Sequence, residues 1–236
     1  MFSPIQYDGS ALPSKTLCLT FDDGPGETGG NGPGPKTIRL ASYLLQEKIP
    51  ATFFLVGRHI ALYPHLARQV AGMGFIIGNH SYNHPDFLKP ATFINNETIV
   101  TEVAKTEALL ANVYTPKSVF FRAPYGSWSA EIAGTLNSQL KGGINYIGPI
   151  GWDINENDWM FWLNAAKADD CANAYLKKII EIDHGIIVMH DSTSDNETMR
   201  LNNRTYETVK ILIPRLKSLG FKFVSLSDVP GVPWLV

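Results

Sequence analysis

The sequence predicts an α/β protein folded as a distorted, incomplete TIM-like (β/α) barrel of about seven parallel strands. Apolar, β-prone runs alternate with helix-like segments along the 236 residues. The apolar runs are continuous, as expected for strands buried on both faces of a parallel sheet. The length suits one barrel domain over residues 1–236, with the motif-bearing core at about 16–226. A doubly wound open sheet is the alternative architecture.

Seven apolar runs are predicted to be the strands. They lie at residues 16–21, 51–57, 75–80, 118–124, 144–154, 185–191 and 221–226. Segments with helical periodicity are predicted at 35–48, 62–74, 96–113, 129–140, 164–182 and 204–219. Pro35 suits the start of the first helix, where its missing N–H is not needed. Because only about seven strands are evident, the barrel is expected not to close fully.

Composition excludes several classes of partner. The chain is 44% hydrophobic and 18% charged, as in ordinary globular proteins, and its net charge of −2 gives no reason to expect nucleic acid. No run approaches the roughly 18 apolar residues of a membrane helix. The N-terminal MFSPIQYDGS lacks the basic and apolar regions of a signal peptide. The chain as written is therefore expected to be cytoplasmic, or exported if a leader was removed; the sequence does not indicate an oligomeric state.

The two cysteines, Cys18 and Cys171, have no CxxC spacing. A small buried hydrophobic side chain is the expected role of Cys18, which lies inside an apolar run. Whether the two thiols pair is left open.

Polar and titratable side chains follow most of the predicted strands. They are Asp22, Asp23, His80, His84, Arg122, Trp152, Asp153, His190 and Asp191. In an α/β barrel the carboxyl ends of the strands meet at one face, where active sites are built. The recurrence of such residues at that edge predicts a shared functional face.

Two short segments suggest a metal site. HSYNH, at 80–84, carries two histidines four residues apart, which share one face if the segment is a helical turn. Asp23 would add an oxygen ligand, giving a His₂Asp set suited to Zn²⁺ or a similar first-row ion. Asp22, kept ionised by that cation, is then a candidate general base. The alternatives are exposed loop histidines and a solvated turn at the paired aspartates.

Three further positions carry candidate acid–base chemistry. Arg122 can fix a carboxylate with a bidentate contact, and Asp153 and Asp158 are its candidate partners. His190 is the candidate acid, although a lone histidine there is often a core residue. Each of these patterns is weak by itself.

The acidic, aromatic segment 151–164 contains candidate walls of a sugar site. Trp152 or Trp159 is predicted to stack on sugar rings. Phe161 and Trp162 are instead expected to pack in the core.

Taken in order, five segments resemble the motifs of the polysaccharide deacetylases of the NodB-homology type, carbohydrate esterase family 4. The segments are TFDDGP (20–25), HSYNH (80–84), RAPYG (122–126), WDINENDW (152–159) and IVMHD (187–191). Each is short, but the ordered set is specific and spans nearly the whole chain.

The resemblance implies a distorted (β/α) barrel that removes N- or O-acetyl groups from acetylated carbohydrates with a divalent metal. It implies Zn²⁺ as the ion, with Co²⁺ or Ni²⁺ as alternatives. Asp23, His80 and His84 correspond to its ligands, Asp22 to the catalytic base and His190 to the general acid.

The remaining roles are also implied by the resemblance. Arg122 corresponds to the arginine that orients the base, and Asp158 to the aspartate that tethers this arginine. The backbone N–H of Tyr125 corresponds to the oxyanion donor. Trp152 and Val188 correspond to walls of the acetyl pocket.

The chain departs from the family pattern at two places. Asn155 stands where the fourth motif usually has an acid, with Asp153 a candidate to compensate. The segment GETGGNGPG, at 26–34, is longer and richer in glycine than expected, and it is predicted to form a loop at the rim of the site.

The leading hypothesis is an N-deacetylase of N-acetylglucosamine-containing glycans, of the chitin-oligosaccharide or peptidoglycan type, that releases acetate. An O-acetyl xylan esterase or a cyclic-amide hydrolase is the same-chemistry alternative. A non-catalytic sugar-binding protein is the third hypothesis, against which the presence of both Asp22 and His190 argues.

Overall fold

The computed structural model describes residues 1–27, 31–93, 98–113, 118–141 and 143–233. Its strands pair in parallel and curl into an incomplete (β/α) barrel, which confirms the predicted fold class. Eight strands lie within these residues. They are β1 (Phe2–Tyr7), β2 (Thr16–Asp22), β3 (Ala51–Leu55), β4 (Ile76–Asn79), β5 (Ser118–Phe120), β6 (Asn145–Ile150), β7 (Gly185–His190) and β8 (Lys222–Val224).

Helices follow most of the strands, as the periodicity predicts. Those in the described part of the chain are α1 (Thr37–Gln46), α2 (Gly57–Leu62), α3 (Pro64–Gly72), α4 (Ile99–Leu110), α5 (Ala130–Gln139), α6 (Asp158–Leu163), α7 (Ala168–Ile182), α8 (Glu197–Asn202) and α9 (Thr205–Ser218). Side-chain caps fix three of their starts, because Thr98 accepts the N–H of Thr101, Ser129 accepts that of Ile132 and Asn196 accepts that of Met199.

All seven predicted strands are present, and β1 is the one that the sequence did not predict. Only Phe2 of β1 is fully buried, and Pro4 lies within the strand. A mostly exposed strand beside β6 does not need an apolar run, and proline is tolerated at such an edge.

The strands form two sheets, ordered β4-β3-β2-β7, with β8 also pairing with β2, and β1-β6-β5. Single parallel bridges, Asn79 with Phe121 and Ile154 with Ile187, connect the two sheets on either side. Every residue of the central strand β2 is buried. The carboxyl ends of the strands therefore point to one mouth, as the strand-end pattern predicts.

The barrel is filled and covered by apolar side chains. Trp162 is fully buried and Phe161 packs beside the core, as expected for both. Cys18 and Cys171 are buried and free, so the open question of their pairing is answered against a disulfide. Among the described helices, none combines the length and apolarity that a membrane crossing requires.

Candidate active site

Asp22 and His190 end two neighbouring strands at the mouth of the barrel. Asp22, the last residue of β2, is in register with His190, the last residue of β7. Register partners in parallel strands direct their side chains to the same face of the sheet. The carboxylate and the imidazole therefore face the same cleft.

Asp23 is the first residue after β2, and its backbone is left-handed, with φ of 73°. Its backbone N–H donates to the carbonyl of Phe54 at 3.2 Å, and its carbonyl accepts the Nδ1–H of His59 at 2.6 Å. Both Asp22 and Asp23 are only 3% exposed. The solvated-turn alternative for this aspartate pair is therefore wrong.

The segment HSYNH is an irregular loop, so the helical-turn geometry expected for it is wrong. The buried carboxylate of Glu102, on α4, accepts the backbone N–H groups of Tyr82 and Asn83 at 2.9 and 2.6 Å. His84 has a left-handed φ of 64°. This tight loop, rather than a helix face, brings the two imidazoles together, with ring centroids 4.9 Å apart.

Asp23, His80 and His84 form a buried cluster of three ligand atoms, all within 4.8 Å of one another. Asp23 Oδ1 lies 3.6 Å from Nε2 of His80 and 3.2 Å from Nε2 of His84. This oxygen is buried and has no hydrogen-bond partner among the described residues. Two imidazole nitrogens and one unsatisfied carboxylate oxygen fit a first-row metal ion with open coordination positions.

The hydrogen bonds of the two histidines leave Nε2 directed at this cluster. His80 Nδ1 lies 2.8 Å from the carbonyl oxygen of Arg122, which can only accept, so Nδ1 carries the proton. His84 Nδ1 lies 3.1 Å from Oδ2 of Asp195. A fixed Nδ1–H leaves the Nε2 lone pair available to a metal.

Electrostatics favour the ligating protonation states of Asp23 and His80. Burial would raise the pKa of Asp23, but His84, His190, His80 and the Ser194 N–H together lower it. Burial lowers the pKa of His80 to about 4, against the opposing effect of the nearby aspartates. A carboxylate and a neutral imidazole are the forms that bind metal.

Arg122 is fully buried and contacts Asp22 directly. Its Nη1 lies 2.8 Å from Asp22 Oδ1 and 2.7 Å from Thr20 Oγ1. Nε and Nη2 donate to the carbonyls of Ile150 and Gly151 at 3.0 and 2.9 Å. These contacts hold the guanidinium in one orientation against the Asp22 carboxylate.

The expectation that Asp158 or Asp153 pairs with Arg122 is wrong. Asp158 Oδ1 lies 2.6 Å from Nδ1 of His190, and Asp158 Oδ2 accepts the His190 backbone N–H at 2.8 Å. Asp158 is the first residue of α6, which packs against β7 and so places the carboxylate at the end of that strand. Asp153 Oδ2 instead accepts the N–H groups of Gly9 and Ile186.

Asp158 keeps His190 charged. Burial alone would lower the pKa of His190, but Asp158, with help from Asp23 and Asp22, raises it to about 10. His190 is therefore an imidazolium at neutral pH and has a proton to donate.

The cleft at this mouth has a volume of about 560 Å³. It brings together Asp22, Asp23, His80, His84, His190, Tyr125, Trp152, Trp159 and Val188, all named from the sequence, and also Asn155. Arg122 and Asp158 lie behind it, against Asp22 and His190 respectively. Asp191 does not line the cleft; it is buried and accepts a hydrogen bond from Thr37.

Tyr125 lies in a short turn, Pro124–Gly126, with φ of 58°. Its ring packs against His84, with centroids 4.7 Å apart, and its hydroxyl donates to Asp195 Oδ2 at 2.6 Å. Asp195 lies outside the five motifs and was not predicted as a site residue. The sequence feature at this position is the polar run STSDN, at 192–196, directly after the fifth motif.

The predicted rim loop at 26–34 is only partly within the described residues, because 28–30 lie outside them. Of its described residues, none lines the cleft. Gly26 donates to Thr37 Oγ1 at 3.0 Å, and Gly34 donates to the carbonyl of Asn203 at 2.9 Å. These parts of the loop pack against α1 and the segment before α9.

Known proteins are similar to this chain in sequence. The polysaccharide deacetylase family model matches residues 9–143. A chitooligosaccharide deacetylase of Rhizobium leguminosarum bv. trifolii is 28% identical over 230 residues, which cover 95% of this chain and 96% of that protein. A peptidoglycan-N-acetylglucosamine deacetylase of Bacillus cereus is 30% identical over 217 residues, which cover 90% of this chain and 67% of that protein.

A solved structure agrees with the sequence matches. The Bc1960 peptidoglycan N-acetylglucosamine deacetylase, crystallised with 4-naphthalen-1-yl-N-oxidanyl-benzamide, has a TM-score of 0.71 at 25% identity and covers 96% of this chain and 92% of its own. The family match extends over more than half of the chain and includes the first three motifs. The chain therefore belongs to the polysaccharide deacetylase family, as the ordered motifs predict, and is a deacetylase.

Proposed function

We propose that this deacetylase is a metal-dependent hydrolase that removes N-acetyl groups from N-acetylglucosamine units of chitin-type oligosaccharides or peptidoglycan. One observation carries the proposal. A buried carboxylate held by an arginine and a charged imidazole held by a carboxylate flank one cluster of metal-ligating atoms.

Asp23, His80 and His84 would hold the metal, with Zn²⁺ as the first candidate and Co²⁺ or Ni²⁺ as alternatives. The ion would act as a Lewis acid that polarises the acetyl carbonyl and lowers the pKa of water. The unsatisfied Asp23 Oδ1 supports this assignment, because a buried anionic oxygen without a partner is costly.

Asp22 is the proposed general base. Its carboxylate takes a proton from the attacking water, whose oxygen forms a bond to the acetyl carbonyl carbon. Arg122 positions Asp22 through Oδ1, which leaves Oδ2 free for the proton. Oδ2 is also the oxygen that faces the cluster, 3.7 Å from His80 Nε2.

Tyr125 and His190 are proposed to act on the intermediate and on the leaving group. The backbone N–H of Tyr125 is the proposed donor to the developing oxyanion. His190, as imidazolium, protonates the sugar nitrogen while its bond to the carbonyl carbon breaks. The products are acetate and a glucosamine unit.

The charge on His190 favours amide over ester substrates. An amide nitrogen leaves poorly without a proton, whereas an alkoxide needs less help from an acid. The pKa of about 10 keeps this proton available across the neutral range.

The walls of the cleft suit a sugar carrying a small acyl group. Trp152, Trp159 and Tyr125 present aromatic surface, and Val188 adds an apolar contact for the acetyl methyl. The chitooligosaccharide and peptidoglycan deacetylases to which the chain is similar support this class of substrate.

A substrate panel tests this function. Chelated protein is reloaded with Zn²⁺, Co²⁺ or Ni²⁺ and incubated with chitin oligosaccharides, peptidoglycan fragments and acetylated xylan, and acetate is measured. We expect metal-dependent acetate release from the N-acetylated glycans. Release from xylan alone would assign the O-acetyl esterase instead, and release from none would favour the sugar-binding alternative.

A further inference from the structure

We propose that Asp195 is a positioning residue that orients the metal ligand His84 and, through Tyr125, the turn that carries the proposed oxyanion donor. This inference rests on the proposed function and extends it to a residue outside the five motifs. Asp195 follows β7 and lines the cleft beside both groups.

Two hydrogen bonds converge on the Asp195 carboxylate. His84 Nδ1 lies 3.3 Å from Oδ1 and 3.1 Å from Oδ2, and the Tyr125 hydroxyl lies 2.6 Å from Oδ2. The His84 ring packs between the rings of His80 and Tyr125, at centroid distances of 4.9 and 4.7 Å. The carboxylate thus joins two side chains that start from different strand ends.

The consequence for His84 is a fixed tautomer. In the neutral ring, an Nδ1–H directed at a carboxylate leaves Nε2 unprotonated, and this Nε2 lies 3.2 Å from Asp23 Oδ1 in the ligand cluster. A carboxylate behind a metal-binding histidine fixes the orientation of the ring and raises its basicity as a ligand. Asp195 therefore supports the ligand from the side opposite the metal.

The segment that carries Asp195 is itself anchored on both sides. The preceding Ser194 donates its N–H to Asp23 Oδ2 at 3.1 Å, and its carbonyl accepts from Arg58. The following Asn196 caps α8 by accepting the Met199 N–H at 3.0 Å. The same segment thus contacts two of the three proposed ligands, Asp23 and His84.

The consequence for Tyr125 is separate. Tyr125 has a left-handed φ of 58°, which few residues other than glycine adopt, and the residue is 56% exposed. The bond to Asp195 ties the Tyr125 ring to the cleft wall. Loss of that bond is expected to disturb the backbone N–H of the turn without removing a metal ligand.

Measurements of metal affinity separate the effect of Asp195 on His84 from its effect on Tyr125. Zn²⁺ dissociation constants are measured by competition with a chromophoric chelator for the wild type, Asp195→Ala, Asp195→Asn and Tyr125→Phe. Asp169→Asn is the matched control, because this exposed carboxylate on α7 faces Arg215 at 3.8 Å and not the cleft.

We expect Asp195→Ala to weaken Zn²⁺ binding by about 10–100-fold. Asp195→Asn is expected to lose less, because its amide oxygen can still accept the His84 Nδ1–H. Tyr125→Phe should keep wild-type affinity but turn over more slowly even when saturated with Zn²⁺. Asp169→Asn should match the wild type in both measurements.

Several results would overturn the inference. If Asp195→Ala binds Zn²⁺ as tightly as the wild type, Asp195 has no positioning role. The same holds if Asp169→Asn loses as much Zn²⁺ affinity as Asp195→Ala. Neither result would contradict the proposed function. A wild type that binds no Zn²⁺ would overturn the proposed metal site as well. If Asp195→Ala does not fold, the comparison of Asp195→Asn with the wild type decides, and equal affinity overturns the role.

Discussion

Asp158 holds His190 at two points, through Oδ1 at 2.6 Å from Nδ1 and through Oδ2 at 2.8 Å from the backbone nitrogen. The Thr205 hydroxyl lies 2.8 Å from the carbonyl oxygen of His190 and 3.2 Å from Asp158 Oδ2. The carboxylate is thereby fixed in place, and it fixes the ring in turn. The general-acid role proposed for His190 depends on this pair.

Asp158→Asn is expected to move the alkaline limb of the pH–rate profile towards neutral pH. Activity requires protonated His190, so it falls as pH rises through the pKa of His190, about 10 in the wild type. Without the Asp158 charge, this pKa falls towards its ordinary value of 6.5. The measurement is kcat against pH for both proteins, and an unshifted alkaline limb would contradict the assignment.

Asp22→Asn is expected to lower kcat by about 10²–10⁴-fold and to retain the metal. The amide can still accept from Arg122 but cannot take a proton from water. Acetate release at saturating substrate gives kcat, and elemental analysis gives the metal content. Unchanged turnover would contradict the role of Asp22 as base.

His80→Ala is expected to lose both metal and activity, because it removes one of three ligands. His65→Ala is a matched control, since His65 is an exposed histidine that faces Glu27 at 3.8 Å. Metal content after dialysis is the readout. A stoichiometric ion in His80→Ala would count against the ligand set.

Arg122→Met is expected to cost about 3–5 kcal/mol of unfolding free energy, the usual penalty for leaving one partner of a buried ion pair alone. The substitution leaves Asp22 buried without its cation and two carbonyls, those of Ile150 and Gly151, without donors. Urea unfolding of chelated protein measures the change. A decrease in the free energy of unfolding below about 1 kcal/mol, the range of exposed ion pairs, would show that the Arg122–Asp22 pair is more accessible to solvent than the structure indicates.

The fold could be predicted largely because its central strands are buried on both faces. The continuous apolar runs of β2 and β7 reflect that burial. The partly exposed edge strand β1 has no such pattern, since only one of its residues is fully buried. Exposed strands carry little periodic signal, so β1 was recognisable only from its pairing with β6.

The sequence predicted which residues form the candidate site better than it predicted which of them contact each other. Every cleft residue named from the motifs lies at the barrel mouth or directly behind it. The partner of Asp158 was predicted wrongly, because motif order does not indicate which strand end the start of α6 approaches. Asp195 was missed because its role depends on a loop conformation, and a polar loop segment looks like any solvated turn.

The most direct measurement counts the two products of the proposed reaction together. A chitin oligosaccharide is treated with Zn²⁺-loaded wild type, with chelated wild type and with Zn²⁺-loaded Asp22→Asn, and acetate and free sugar amine are quantified. We predict equal amounts of acetate and amine from the Zn²⁺-loaded wild type and little of either from the other two. Equal release by the chelated wild type, or by Asp22→Asn at full metal occupancy, would contradict metal-dependent N-deacetylation with Asp22 as the base.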